Sequence, residues 1–174
     1  MHREFSLLND EAVKLIDLTR AKKYLSIEHK HDDEMIAEMI DMAVIAAENY
    51  IGLSLNKRNW KMTVYFDVPN IIKLKHEPIN KVISFKLFTY NDKELSLKED
   101  DYILDKMNDQ IIINKHYSVK KAEIIYEVGY IKLPTPISQG ILEHLAKLYD
   151  FRGSDSSLPV SAKSLYQPYK RVRL

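Results

Sequence analysis

The stretch AEIIYEVGYIKLPTPISQGILEHLAKLYDFR, Ala122 to Arg152, changes its apolar period part-way along, and that change decides the fold class. Ala122-Glu123-Ile124-Ile125-Tyr126-Glu127-Val128 is written in β-branched and aromatic residues, the vocabulary of a strand. From Thr135 the spacing turns helical, with Ile137, Ile141, Leu145, Leu148 and Tyr149 on one face. Thr135 caps this helix and Pro136 follows where its missing N–H costs nothing; Arg152-Gly153 closes the last turn.

Upstream, the strand vocabulary extends back to about residue 60. Trp60, Met62, Val64 and Phe66 alternate with polar residues, and Val82 to Phe88 and Gln110 to Ile113 follow in the same style. Turns are marked by Pro69-Asn70, Pro78, Asn91-Asp92 and Asn108-Asp109. The connections are too short for crossover helices, so the strands pair antiparallel. Further upstream the period is helical again. Thr19 caps a short helix through Leu25, and Asp32 or Asp33 caps a longer one that stops at Gly52. In that longer helix Ile36, Ile40, Ala43, Ala47 and Tyr50 form one face, while Met35, Met39, Met42 and Ala46 line a neighbouring strip that a surface helix would normally make polar. Such a broad apolar face either packs inside its own core or meets another subunit, since methionine fills gaps in both settings.

The predicted fold is α+β: a helical bundle of two N-terminal helices and a C-terminal helix, an inserted small antiparallel β-sheet and an extended C-terminal tail. One domain spans 1–174, helical over 18–52, β over 60–130 and helical over 135–152, with a flexible loop and tail over 153–174. The 174 residues are 45% hydrophobic, enough to bury a core without staples. With no cysteine there is neither a disulfide framework nor a thiolate metal site or nucleophile. Met1-His2-Arg3-Glu4 leads only into short apolar stretches broken by Asn9, Asp10 and Glu11, so no signal peptide is expected, and no run is long enough to span a bilayer. Lys and Arg number 26 against 25 Asp and Glu, a balance unlike that of a protein that coats nucleic acid.

Candidate chemistry is thin. His29, His31, Asp32 and Asp33 offer two imidazoles and carboxylates to a metal, but they sit in a short loop with no second ligand cluster, and a solvated helix cap is the plainer role. Glu99, Asp100, Asp101 and Asp105 crowd one turn, where adjacent carboxylates face water instead of forming two separately tuned groups across a cleft. His144 has no motif partner and is expected as a half-buried helix histidine. The widely separated Gly52, Gly129, Gly140 and Gly153 build no phosphate loop. No catalytic residue, cofactor or metal is predicted. Tyr166-Gln167-Pro168-Tyr169-Lys170-Arg171-Val172-Arg173 interleaves aromatic and basic residues, a pattern that stacks on bases or docks on another protein.

Taken in order, several motifs resemble one family. Leu18-Thr19-Arg20-Ala21-Lys22-Lys23-Tyr24-Leu25, Asp32-Asp33-Glu34-Met35-Ile36 and Ala46-Ala47-Glu48-Asn49-Tyr50-Ile51-Gly52 look like the opening of tailed-phage head-to-tail connector, or adaptor, proteins. Trp60, Glu127-Val128-Gly129-Tyr130, Leu133-Pro134, Leu148-Tyr149-Asp150-Phe151-Arg152 and Leu165 to Arg173 continue the likeness to the end of the chain. Asn70 to Lys120 matches no motif and is expected as decoration of a subgroup. The resemblance implies a homo-oligomeric ring, dodecameric, seated beneath the portal protein of a phage, prophage or phage-like particle and facing a stopper or tail-completion protein. DNA passes through its middle without sequence-specific binding, and no membrane is involved. The ring is made in the bacterial cytoplasm and ends in the particle neck. In such proteins the helical body makes subunit contacts, a role for Met35, Met39 and Met42 here. The C-terminal segment reaches the portal, through Leu165, Tyr166, Pro168, Tyr169, Lys170, Arg171 and Arg173. The rivals are a nucleic-acid-binding module and a small metal-dependent hydrolase.

Overall fold

The computed structural model describes residues 2–10, 15–65, 68–91, 93–152 and 155–171. The chain divides into two compact units, each built from two separate segments: Met1–Ala12 with Asn56–Ile131, and Val13–Leu55 with Lys132–Leu174.

The first unit is all β. Strands β1 (His2–Asp10), β2 (Arg58–Tyr65), β4 (Ile79–Thr89), β5 (Glu94–Ser96) and β8 (Val119–Val128) form one sheet in the order β1-β2-β8-β4-β5. Strands β3 (Ile71–Lys73), β6 (Tyr102–Asp105) and β7 (Gln110–Ile113) form a second in the order β3-β7-β6, and every pairing is antiparallel as expected. Register sorts the faces. Met62 lies opposite Ile124, which lies opposite Phe85, and this row is buried; one residue along, Thr63, Glu123 and Lys86 make a row on the other face. In the small sheet Ile72 and Ile111 pair inward, and with Met62, Val64, Leu87 and Tyr126 they fill one core shared by both sheets. On the outer face Glu123 binds Lys61 at 2.9 Å and Lys121 at 2.7 Å, and these ammonium groups, Lys121 first, hold its carboxyl below the usual range.

Four strands of this unit, β1, β3, β5 and β6, are not among those the sequence pattern predicts. β1 has exposed residues on both faces, so its apolar residues do not alternate cleanly; β3 is only three residues long. Phe66 and Asp92 lie outside the described residues.

The second unit is helical: α1 (Leu18–Leu25), α2 (Asp33–Ile51), α3 (Thr135–Asp150) and α4 (Val160–Tyr166). The cap of α1 is Asp17, whose Oδ1 accepts from the Arg20 N–H at 2.8 Å, and Thr19 lies inside the first turn. Asp32 precedes α2 without a side-chain cap bond, and Gly52 ends that helix with a left-handed backbone, φ 81°. Pro134 stands at the start of α3, with Thr135 and Pro136 already helical.

The extended tail is corrected by the structure. Residues 160–166 form α4, and Gln167–Tyr169 add one tight 3-10 turn. Ala162 and Tyr166, one helical turn apart, are both fully buried, so this short helix contributes to the core of the helical unit. Gly153, Ser154 and Val172 to Leu174 lie outside the described residues.

At Gly129 the β unit leaves no room for a side chain. Its φ of 101° is a conformation L side chains avoid, its N–H donates to the Pro78 carbonyl at 2.9 Å, and a Cβ would collide with the Asn56 carbonyl. Gly129→Ala is expected to destabilise the fold by at least ~2 kcal/mol, from the unfavourable backbone plus the collision; a urea midpoint measured against the parent protein checks this.

Candidate assembly surfaces

The C-terminal segment is held by α3 and by the end of α2. Tyr166 lies over Gly140 of α3 so closely that a Cβ there would sit 2.5 Å from the ring. The absence of a side chain at Gly140 is therefore what admits the tyrosine. Burial, with the Glu143 carboxylate nearby, pushes the Tyr166 hydroxyl above its ordinary range, and that hydroxyl has no hydrogen-bond partner. Beyond α4, Tyr50 collects the chain: its OH donates to Gln167 Oε1 at 3.2 Å, and the Lys170 ammonium stands 4.6 Å from the centre of its ring. The Arg171 N–H donates to the Ile51 carbonyl at 3.0 Å.

The loop before α4 is pinned as well. Lys147 of α3 bonds Asp155 Oδ2 at 2.7 Å, Ser157 Oγ at 2.6 Å and the Ser157 carbonyl at 3.1 Å. The Lys147 ammonium, then the Ser157 hydroxyl and N–H, hold the Asp155 carboxyl far below its ordinary range. His144 is buried, with Nε2 3.2 Å from the Ser156 carbonyl, so Nε2 donates and the buried Nδ1 is left without a partner. Burial pushes this imidazole below its usual range; the neighbouring Lys147 acts the same way and Asp155 opposes it.

The predicted tail residues therefore divide. Tyr166 is buried and Leu165 and Tyr169 are half-buried, whereas Pro168, Lys170 and Arg171 are exposed; Arg173 lies outside the described residues. Tyr166 is an internal anchor of the segment and offers no surface to a partner. The methionines divide too. Met39 is 7% exposed and belongs to the helical core, Met35 is intermediate and Met42 is 46% exposed. Ile45, 55% exposed and one turn beyond Met42, was not singled out by the sequence. The signal for it was its spacing of four and seven residues from Asp41 and Glu38, on the polar side of α2.

Of the residues weighed for chemistry, Asp32, Asp33, Asp101 and Asp105 have structural partners, and His29 and His31 lie ring to ring at 5.8 Å. The Tyr149 hydroxyl donates to Asp32 Oδ2 at 2.6 Å, holding that carboxyl below its usual range. Among the described residues no group of three or more His, Asp or Glu is placed to hold a metal ion. Glu99, Asp100 and Asp101 form a 3-10 turn, in which Asp101 Oδ2 accepts the Lys98 N–H at 2.9 Å. Asp105 closes the β6–β7 turn, accepting from Asn108 Nδ2 at 2.8 Å and Gln110 Nε2 at 3.0 Å. Among the described residues no helix is long and apolar enough to cross a membrane.

Two predictions follow from the anchor and the pinned loop. Tyr166→Ala should cost roughly 3–5 kcal/mol through the cavity it leaves, whereas Tyr166→Phe, which removes only an unpartnered hydroxyl, should be neutral or stabilising in the same denaturation assay. A neutral His144 is favoured by the fold, so the folded chain binds fewer protons there than the unfolded one. Stability from this group is complete above the ordinary value of 6.5 and is lost as pH falls through it toward the lower folded value. The melting temperature should accordingly drop between about pH 7.5 and 5.5, and His144→Gln should flatten that slope.

The comparisons agree with this architecture. The model of the phage gp6-like head-tail connector protein family matches residues 15–116. No curated protein matches the sequence. Among solved structures, a chain from the neck of an empty gene transfer agent particle, computed with C6 symmetry, superposes with a TM-score of 0.74 at 15% identity, over 98% of this chain and 97% of that one. A chain from the virion of the native gene transfer agent gives 0.73 at 14% identity, over 98% and 96%. A chain from the neck of the native particle, computed with C12 symmetry, gives 0.67 at 17%, over 97% of each. With more than half of its length matched by one family model and its fold shared along nearly its whole length with those chains, the protein belongs to the phage gp6-like head-tail connector family.

Proposed function

We propose that copies of this chain form a ring, twelve in number, that joins the portal of a phage, prophage or gene-transfer particle to a stopper or tail component. The observation that carries this reading is the end-to-end agreement of the fold with chains from particle necks, one of them computed with C12 symmetry. The work done is assembly without turnover. Identical heterologous contacts close the ring, and DNA passes through the middle without being read. The chain is made in the bacterial cytoplasm and is carried into the particle neck.

Of the two compact units, the helical one carries the candidate contacts. On the α2 side, Met35 and Met42 remain available to a neighbour and Met39 stabilises the helix from within. On the C-terminal side, Pro168, Lys170 and Arg171 meet the portal. Tyr166, flanked in sequence by half-buried Leu165 and Tyr169, sets their direction, and Arg173 extends the same basic run. A segment already ordered against α3 loses less freedom on docking than a free tail, so fewer contacts suffice for attachment.

Co-expression of the chain with the portal encoded beside it, followed by electron microscopy, should show a ring stacked on the portal. Two well-folded proteins that stay apart would refute this function. Lys170→Ala with Arg171→Ala should leave the melting temperature within a few degrees of the parent, and should weaken co-sedimentation with the portal by roughly tenfold, the effect of losing about 1.4 kcal/mol at an interface.

A further inference from the structure

Helix α2 leaves two large apolar side chains, Met42 and Ile45, in water near its middle. Exposed Glu34, Glu38 and Asp41 share their side of the helix, and the run ends at exposed Asn49. Acidic residues dominate the whole helix: Asp33, Glu34, Glu38, Asp41 and Glu48 occur in it and no Lys or Arg does. Two of these are already engaged, Asp33 by Lys22 and Glu48 by the Leu55 N–H. Glu34, Glu38 and Asp41 have no hydrogen-bond or ion-pair partner for their side chains among the described residues. The result is an apolar centre bordered by free carboxylates.

Helix α1 has the opposite charge. Leu18–Leu25 contains Arg20, Lys22 and Lys23 and no acid, and the next loop carries Lys30 together with one exposed acid, Glu28, which leaves this surface basic on balance. Lys22 is turned inward to Asp33, but Lys23 and Lys30 are exposed and their ammonium groups have no partner among the described residues. Tyr24, 40% exposed, stands beside Lys23 and supplies an apolar ring with a polar tip. An acidic face with an apolar centre and a basic face with an aromatic one therefore occur on the same unit of the same chain.

We infer that the Met42–Ile45 face of α2 is the docking site for the Lys23–Tyr24–Lys30 surface of a second copy of this chain. The occupant is fixed by charge complementarity. A face repeated against itself would set Glu38 and Asp41 against the same carboxylates, and like-charge juxtaposition is strongly disfavoured. Two different, oppositely charged faces on one subunit make a heterologous contact, the kind that closes a ring. A DNA channel would have no use for Met42 and Ile45 facing the solvent, whereas an interface buries them. The proposed contact rests on the ring reading above and names the two surfaces that meet in it.

Charge reversal tests it on the full chain. One variant carries Glu38→Lys and Asp41→Lys, the other Lys23→Glu and Lys30→Glu; all four positions are exposed, and circular dichroism checks that both variants fold. Ring assembly is followed by sedimentation, alone and on the portal. Each variant alone should need roughly a hundredfold higher concentration to assemble, because every contact then sets like charges together. An equimolar mixture should restore assembly, since the reversed α2 of one variant faces the reversed α1 of the other. Rings formed unimpaired by either variant overturn the inference while leaving the ring itself standing. Loss of rings without rescue in the mixture overturns α1 as the occupant of the α2 face. A parent chain that never forms a ring overturns both the contact and the ring reading.

Discussion

Helix α3 has very little surface to give to water. Ile137, Ser138, Gly140, Ile141, Leu142, His144, Leu145 and Leu148 are all buried, a set that occupies a broad arc, about half the way round the helix. A helix with so broad a buried arc must be covered from several sides at once, and this requirement organises the helical unit. Ala21 of α1, the Ile36, Ile40, Ala43 and Ala47 face of α2, and Ala162 and Tyr166 of α4 are the covering surfaces. Gly140 is where the requirement is strictest, because the largest covering side chain is admitted only at a position that has none of its own.

That requirement explains why the C-terminal segment is ordered. A seven-residue helix has too few internal hydrogen bonds to stand alone, and α4 begins after Pro159 and has no acid in its first turn to favour it. Its order is borrowed from α3, through Tyr166, and from the Lys147 and His144 bonds that pin the preceding loop. Exposed Lys170 and Arg171 are thereby held at a defined place even though they make no core contact themselves.

The long periodic elements were legible in the sequence because burial imposes a pattern there. The inward face of α2, the apolar face of α3, β7 at Gln110 to Ile113 and the body of β8 all lie where the spacing puts them. The elements that escaped notice are those on which burial imposes little. β1 is an edge strand with its residues at least partly exposed, so Leu7 and Leu8 break the alternation without cost. In α4 the meaningful pair, Ala162 and Tyr166, is surrounded by Lys163, Pro168 and Lys170, and its significance depends on a glycine twenty-six positions away. The candidate interface shows the same limit. Met35, Met39 and Met42 are alike in composition, and only the angular position of each around the helix separates the buried one from the exposed one, while Ile45 sits in the apolar run Ala43-Val44-Ile45-Ala46-Ala47, where composition does not set it apart from its buried neighbours.

Charge balance in this chain hides segregation. A formal net charge of +1 suggests a surface without strong fields, yet α1 is purely basic and α2 purely acidic over consecutive segments. Part of that opposition is spent internally at Lys22 and Asp33, which joins the two helices of one chain. The remainder faces outward, where exposed ion pairs individually contribute little and are screened by salt. Within the proposed ring this weakness has a use. A contact too weak to join two free copies becomes sufficient when neighbours are already held side by side on a portal, because the effective concentration of each face for the next is then far above that in solution. Strong apolar faces in the same places would instead let rings close away from the portal, where they could connect nothing.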